Sequence, residues 1–399
     1  MKILVWADAG CNTGFGVVSH NLMERWVKYG HDVHALAINY RGDPWEGKYK
    51  LYNPTAYAPQ DLYGFNRIQE LVAKVQPDIF FVLNDLNVIH QGFEIAFKEG
   101  LTVPTVIYTP IDGVGIPPFW MLPATKADMT ILMTKFGSDT LKKEFDLDFP
   151  YIYHGVEFDK FYPATPDRPI HYQRAGIEYT ITSKEEAKEA LGLKGKYVVL
   201  AINRNSDRKN YADTFKVFME FAQNKPDAVL VVHAASRDVG GDLNVLADRL
   251  RMQNKVVFSD VQNVAQGAPK EHVQTLYNAA DVKLTTSLGE GFGLTDAEAL
   301  ACGTPLIGQK FSATAEVGAR GGILIPPLRL FTTTRMVDFA IPDLKQFVTA
   351  MNRLYYDHPR REKLSQQAVE HVRQLFSWDI AARQFETYFN ELLWEKNNA

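Results

Sequence analysis

Short apolar runs alternate with longer amphipathic stretches along this chain. In the first half the runs are Ile3–Ala7, Val33–Ile38, Asp78–Leu83, Thr105–Tyr108, Met129–Met133 and Tyr151–Tyr153, with helical periodicity between them, as over Val17–Tyr29 and Phe65–Val75. Strands this uniformly apolar suit a parallel sheet covered on both faces. Alternation with helices indicates βαβ units. The stretch from Pro163 to Thr182 is polar and has no clear period. Ser183 and Glu186 then form a capping-box pattern for a helix through Leu191, which Gly192 ends. The alternation restarts with strands over Tyr197–Ile202, Ala228–His233, Lys255–Phe258, Asp281–Thr285 and Pro305–Gly308. Helices are expected over Asp213–Gln223, Leu243–Met252, His272–Ala279 and Asp296–Cys302, and a terminal amphipathic helix over Trp378–Lys396.

The pattern predicts an α/β protein of two Rossmann-like, doubly wound parallel-sheet domains facing across a cleft. Ligands of such sheets bind beyond the carboxyl ends of the strands. The boundaries read as 1–165 for the first domain, 166–194 for a linker with an insertion, and 195–377 for the second. The helix 378–399 closes the chain.

Composition narrows the classes of function. The chain has 399 residues, 46% hydrophobic and 23% charged, which suits two ordinary globular cores. A net charge of -4 argues against a generic DNA-coating role. Cys11 and Cys302 cannot build a disulfide framework, and no metal-ligand spacing is present. No metal and no cofactor are expected. The opening MKILVWADAG reads as a core strand rather than a signal peptide, and no run is apolar and long enough to span a membrane. A cytoplasmic location is expected, with peripheral membrane attachment left open.

Three segments could carry chemistry. Ser287–Glu298 leaves an apolar strand, passes Gly289, Gly291 and Gly293, and enters a helix. Glycines admit a ligand close to the backbone, and a helix start offers unpaired N–H groups to phosphate. Gly291, Gly293, Leu294 and Thr295 are therefore candidates for a diphosphate cradle, flanked by Glu290 and Glu298. Thr295 and Glu298 also fit a capping box, so Glu298 is either a cap or a ligand. The second segment, Asn203–Asn210, places Arg204 and Lys209 after a buried strand, where they could neutralise a departing diphosphate; a solvated turn is the alternative. The third is Gly10–Gly16. It has Gly14 and Gly16 of a dinucleotide fingerprint but Ser19 in the third place, and no acidic residue ends the next strand. A glycine loop that touches a sugar or an acceptor fits better than a nicotinamide site. Asp112 follows a strand and points the same way, whereas His154 reads as a structural histidine.

The stretch from Ala280–Asp281 to Pro305 resembles the nucleotide-sugar signature of the retaining GT-B glycosyltransferases of family 4. Glu290 and Glu298 stand at its characteristic spacing, and the run Glu–Ala–Leu–Ala–Cys–Gly–Thr–Pro continues to Pro305. The early glycine loop, His154–Gly155–Val156, Arg204 with Lys209, and Phe376–Ser377–Trp378 extend the resemblance over most of the chain. It implies that Arg204 and Lys209 bind the donor diphosphate and that Glu298 holds the ribose. Glu290, with the backbone of Phe292 and Gly293, would hold the sugar, and the base would lie near Val257–Asp260. Gly14 and Gly16 would approach donor and acceptor from the first domain, onto which the last helix would cross. Two departures stand out. Asp112 occupies the neighbourhood where many members have a histidine, and Pro163–Thr182 is longer than the usual linker.

The expected activity is retaining transfer of a hexose, with UDP-glucose the favoured donor, by same-face displacement. The partners are thus a nucleotide-sugar donor and a hydroxyl acceptor: a glycan, small molecule, lipid-linked sugar, protein or modified DNA. A homo-oligomer stays open. The competing readings are a sugar-nucleotide epimerase and a non-catalytic nucleotide-sugar-binding scaffold.

Overall fold

The computed structural model describes residues 1–11, 13–56, 58–96, 103–259 and 268–398. The chain divides into two compact units, Met1–Gly155 with Ser377–Ala399, and Val156–Phe376. In the first unit, β1 (Lys2–Asp8), α1 (Gly14–Lys28), β2 (Asp32–Ile38) and β3 (Lys50–Tyr52) are followed by α2 (Ile68–Val75), β4 (Ile79–Leu83), α3 (Leu86–Ala96) and β5 (Thr105–Thr109). Then come α4 (Leu122–Lys126), β6 (Met129–Leu132) and α5 (Lys135–Phe145). The strands form one parallel sheet in the order β3-β2-β1-β4-β5-β6.

The pleat of β1 sorts its side chains between two layers. Leu4 and Trp6 enter a core with Phe65, Ile68, Leu71, Phe80 and Ile89. The opposite face is closed by α1 and by the terminal helix (Trp378–Asn398), whose Phe385 meets Trp26, Phe81 and Tyr108 edge-on at 4.8–5.9 Å between ring centroids. Lys396 pairs with Asp128 at 2.5 Å and Arg25 with Asp379 at 2.6 Å. The last helix is therefore part of the first unit's core. Gly155 lies so close to Trp378 that a Cβ would stand 2.0 Å from the tryptophan backbone nitrogen. His154 is buried, stacks on Trp378 and is pushed down to a pKa of about 3 by burial, so it stays neutral. The run Tyr151–Tyr153 is not a strand: Tyr151 makes only an isolated bridge to Leu132.

The second unit opens with a hairpin of β7 (Ile170–Arg174) and β8 (Ile177–Ile181), then α6 (Lys184–Ala190), β9 (Tyr197–Ile202), α7 (Tyr211–Phe221) and β10 (Ala228–His233). A two-residue ribbon pairs β11 (Arg237–Asp238) with β12 (Gly241–Asp242). There follow α8 (Leu243–Arg249), β13 (Val256–Phe258), α9 (Lys270–Ala279), β14 (Val282–Leu284), α10 (Leu294–Ala301), β15 (Leu306–Gln309), α11 (Ser312–Val317) and β16 (Gly322–Ile325). A second hairpin, β17 (Arg329–Thr332) with β18 (Asp338–Ile341), precedes α12 (Leu344–Tyr356) and α13 (His358–Leu375); the terminal helix is α14. The parallel sheet runs β13-β10-β9-β14-β15-β16. Both sheets thus have the strand order 3-2-1-4-5-6, counted within each sheet, so each doubly wound prediction is met.

The 166–194 stretch is not a free linker. Ile170, Tyr172 and Ile181 are buried while most of their neighbours in the hairpin face water, which gives the hairpin one packed face. Ser183 caps α6 as expected, accepting from Glu186 N at 3.3 Å, and the Glu186 carboxylate returns to Thr182 N at 2.6 Å.

Replacing Phe385 by alanine should cost about 3–5 kcal/mol through lost burial and a cavity. In urea unfolding followed by fluorescence, the transition of the first unit should move to lower denaturant and that of the second should stay in place.

Candidate functional site

In the second unit β9 and β14 are paired neighbours, yet the chain leaves β9 toward β10 and leaves β14 toward β15. Their loops diverge at this switch point, where doubly wound sheets bind ligands. Residues 203–210 come from one loop and 285–293 from the other. Leu288 N donates to Arg208 O at 2.8 Å, and the Thr286 hydroxyl donates to Asn210 O at 2.9 Å. Asn210 reaches this position with a left-handed φ of 52°.

Between the loops lies an ion cluster. Lys209 Nζ donates to both Glu290 oxygens, at 2.6 and 2.7 Å, and Arg208 bridges Glu290 and the Gly289 carbonyl. The Glu290 side chain is only 4% exposed. Burial by itself would raise its pKa, but Lys209 and Arg208 outweigh burial and hold the carboxyl well below the usual range. Its backbone is fixed as well, since Glu290 N donates to Ser312 Oγ at 2.8 Å.

The helix start beside this cluster has an unexpected support. Lys283, fully buried on β14, pairs with Asp296 in the first turn of α10 and donates to Thr295 Oγ1 at 2.8 Å. Gly293 is the N-cap, with φ of +90°, and makes no side-chain cap bond. A Cβ there would stand 3.1 Å from Asp296 Oδ2 in a backbone region that side chains rarely adopt. Leu294 and Thr295, in the first turn, have no carbonyl four residues back within the helix for their N–H groups. Phe292 is buried edge-on against Phe376 at 5.3 Å.

The capping-box alternative for Glu298 does not form. The cap is Gly293, so Thr295 already lies inside the helix, where its hydroxyl serves Lys283 and Asn203. Glu298 instead accepts from the Tyr277 hydroxyl at 2.9 Å. Burial raises its pKa to about 7, with Tyr277 pulling the other way.

The expected site residues fall into two groups. Lys209, Glu290, Phe292, Gly293, Leu294, Thr295 and Glu298 all line or support the two loops and α10. Arg204 is mostly exposed and pairs with Asp238 at 2.8 Å; the guanidinium at Glu290 belongs to Arg208. Sequence reading named the basic cluster, and a one-turn 3-10 segment at Asp207–Lys209 sets which of its side chains face Glu290. Lys283 was missed altogether. A lysine inside an apolar strand was its only signal.

Gly14, Gly16 and Asp112 belong to the first unit. A Cβ on Gly16 would stand 2.1 Å from Cys11 O, so that glycine closes the loop, whereas one on Gly14 would meet open space. Thr13 caps α1 and is held by Asp8. Asp112 follows β5 and is half-buried. Asn12 and Asp260 lie outside the described residues. Among the described residues no group of histidine, cysteine and carboxylate side chains is placed to hold a metal ion, and no helix is long and apolar enough to cross a membrane.

Residues 183–371, spanning the sheet and both loops just described, match the family model described as glycosyl transferases group 1. The match marks residues 183–371 as similar to this family. Mannosylfructose-phosphate synthase of Agrobacterium fabrum is 27% identical over 307 residues, 73% of this chain and 55% of that protein. The chain spans about half the length of the curated relatives it matches. Sucrose-phosphate synthase from Thermosynechococcus elongatus has the same fold, with a TM-score of 0.76 at 17% identity over 98% of this chain and 99% of that one. Anabaena HepE, solved in complex with UDP-glucose, gives 0.68 at 17% identity, over 98% of this chain and 100% of that one. The fold is that of the GT-B glycosyltransferases, as the sequence motifs implied.

Two outcomes follow. With its pKa raised from an ordinary 4.5 to about 7, Glu298 costs nothing below 4.5, where it is protonated in both folded and unfolded chains. The cost grows from 4.5 to 7 as only the unfolded chain ionises, and is complete above 7. Urea unfolding of Glu298→Gln at pH 4.5 and 7.5 should therefore show a smaller fall in stability than the parent shows. Lys283→Ala should cost about 3–5 kcal/mol by leaving Asp296 buried without its cation, and adding Asp296→Leu should recover much of that loss in the same assay.

Proposed function

We propose that this chain transfers a hexose from a nucleotide sugar, with UDP-glucose the favoured donor, to a hydroxyl acceptor with retention at the anomeric carbon. The observation that carries the reading is the Arg208–Lys209–Glu290 cluster beside the first turn of α10. Two cations against one carboxylate leave a net positive charge at a helix N-terminus, an arrangement that favours a diphosphate. The HepE complex with UDP-glucose supports the donor class. Similarity to a mannosylfructose-phosphate synthase and, in fold, to a sucrose-phosphate synthase favours a phosphorylated sugar as acceptor.

In the proposed reaction the bond from the anomeric carbon to the leaving phosphate oxygen breaks. The acceptor oxygen forms its bond on the same face, and the acceptor proton passes to that phosphate oxygen. Lys209, Arg208 and the N–H groups of Leu294 and Thr295 stabilise the charge that grows on the diphosphate, and Arg204 reaches it from the rim. Glu290 and the backbone of Phe292 and Gly293 hold the sugar, and Glu298 takes the ribose hydroxyls. The first unit supplies Gly14, Gly16 and Asp112, the last of which orients the acceptor hydroxyl. The first unit (Met1–Gly155 with Ser377–Ala399) acts on the acceptor side and the second (Val156–Phe376) on the donor side. The described residues include no membrane-spanning helix, which is compatible with a cytoplasmic location.

The test is a panel of UDP-, GDP- and ADP-sugars offered with sugar-phosphate acceptors, read by nucleotide release and by NMR of the product's anomeric proton. UDP release with a retained anomeric configuration is expected. Lys209→Ala should lower turnover by about 10²–10³-fold while the fold persists. Undiminished turnover would remove Lys209 from the diphosphate site, and inverted product would remove same-face displacement.

A further inference from the structure

Beyond the ion cluster, the short ribbon of β11 and β12 grips the 203–210 loop from its other flank. The sheet order places β10 and β14 on opposite sides of β9. The ribbon follows β10, and the loop that leads to α10 follows β14. Asn205, 1% exposed, donates from Nδ2 to Ala235 O at 3.2 Å and to Gly241 O at 2.8 Å, and Gly240 N donates to Asn205 O at 3.2 Å. A Cβ on Gly240 would stand 2.4 Å from Asn205 Oδ1 and 2.8 Å from Ser206 N. Arg237 pairs with Asp242 at 2.5 Å across the ribbon, and Asp242 caps α8 by accepting from Asn244 N and Val245 N. Groups other than Asp238 therefore hold the ribbon on the loop.

The Asp238 carboxylate is turned to Arg204 instead. It accepts from Arg204 Nε at 2.8 Å and Nη2 at 3.3 Å, a side-on pair, and from Val239 N at 2.8 Å. The bond from Arg204 lowers its pKa, so it is ionised at neutral pH. Successive residues of the loop thus face opposite flanks. Asn203 Oδ1 lies 3.4 Å from Thr295 Oγ1 at the start of α10, whereas Arg204 is drawn to the β10 side. A guanidinium paired in this way must give up or share its carboxylate to serve a phosphate. With Arg204 60% exposed, the pair is of the weak, solvated kind, worth at most about a fivefold factor in an equilibrium constant. A diphosphate of several charges can win Arg204 from Asp238, and its affinity is lowered by whatever the pair was worth.

We propose that Asp238 competes with the donor diphosphate for Arg204, and so sets how tightly the donor and the nucleoside diphosphate product are held. Asp238 is a positioning residue that acts through Arg204. This rests on the nucleotide-sugar reading above. It gives the ribbon a part in turnover: Arg204 leaves Asp238 for the diphosphate on binding and returns to it as the product departs.

The experiment titrates the full-length chain calorimetrically with UDP and with inorganic pyrophosphate, and repeats both with Asp238→Asn, Arg204→Ala and the double variant. Asp238→Asn keeps the shape of the side chain and removes its charge. It should tighten both ligands roughly two- to fivefold, and inhibition of turnover by UDP should strengthen by the same factor. A loosened ribbon would weaken binding, so a gain separates competition from a structural role. In the Arg204→Ala background the same substitution should leave both affinities nearly unchanged. Binding that is unaltered or weaker in Asp238→Asn would overturn the proposal, and so would a gain that persists undiminished without Arg204, which would report only the removal of a nearby negative charge. A parent chain that binds neither UDP nor pyrophosphate would instead reject the nucleotide-sugar reading, and the inference with it.

Discussion

The constraint on which the second unit depends is the reversal of sheet growth between β9 and β14. Strands on one side of this pair are added leftward and on the other rightward, so the two loops separate and their polar groups have no further strand to cover them. Burying Glu290 there would be costly unless cations met it. Lys209 and Arg208 come from the opposite loop and provide them. The ion pair thus ties the two loops together, and the same cations are the groups that a diphosphate would address.

A second buried pair sits one layer below. Lys283 on β14 anchors Asp296, whose carboxylate lies 3.1 Å from where a Cβ on the left-handed Gly293 cap would stand. The orientation of α10, and with it the direction of the first-turn N–H groups, is set from beneath by a lysine with no exposed surface. The ligand-facing surface carries Thr295 and Leu294, while the energetic support lies behind it. The first unit repeats the strand order with a different loop. There the loop geometry is mechanical: Gly16 passes Cys11, Thr13 caps α1, and Asp8 holds Thr13.

Most of the architecture was legible in the sequence. Uniformly apolar runs at regular intervals can be satisfied only by strands covered on both faces, and the helical stretches between them leave parallel crossovers as the economical connection. Glu290, Lys209 and the Gly293–Thr295 turn were legible for the same reason, since each follows a strand end. The hairpin at 170–181 was not, because its few apolar positions are too sparse to show a period until α9 is present to bury them.

What the sequence determined by itself was local: periodicity, strand ends, caps such as Ser183, and the glycines that force a turn. What only the tertiary structure decided was which polar groups meet. Arg208 rather than Arg204 reaches Glu290, because a single 3-10 turn rotates the basic cluster. Glu298 answers to Tyr277 instead of capping its helix, because Gly293 already occupies the cap. Lys283 finds Asp296, and Arg204 finds Asp238. Charge pairing depends on distances of a few ångströms between separate elements, and those distances exist only after the apolar pattern has packed the layers together.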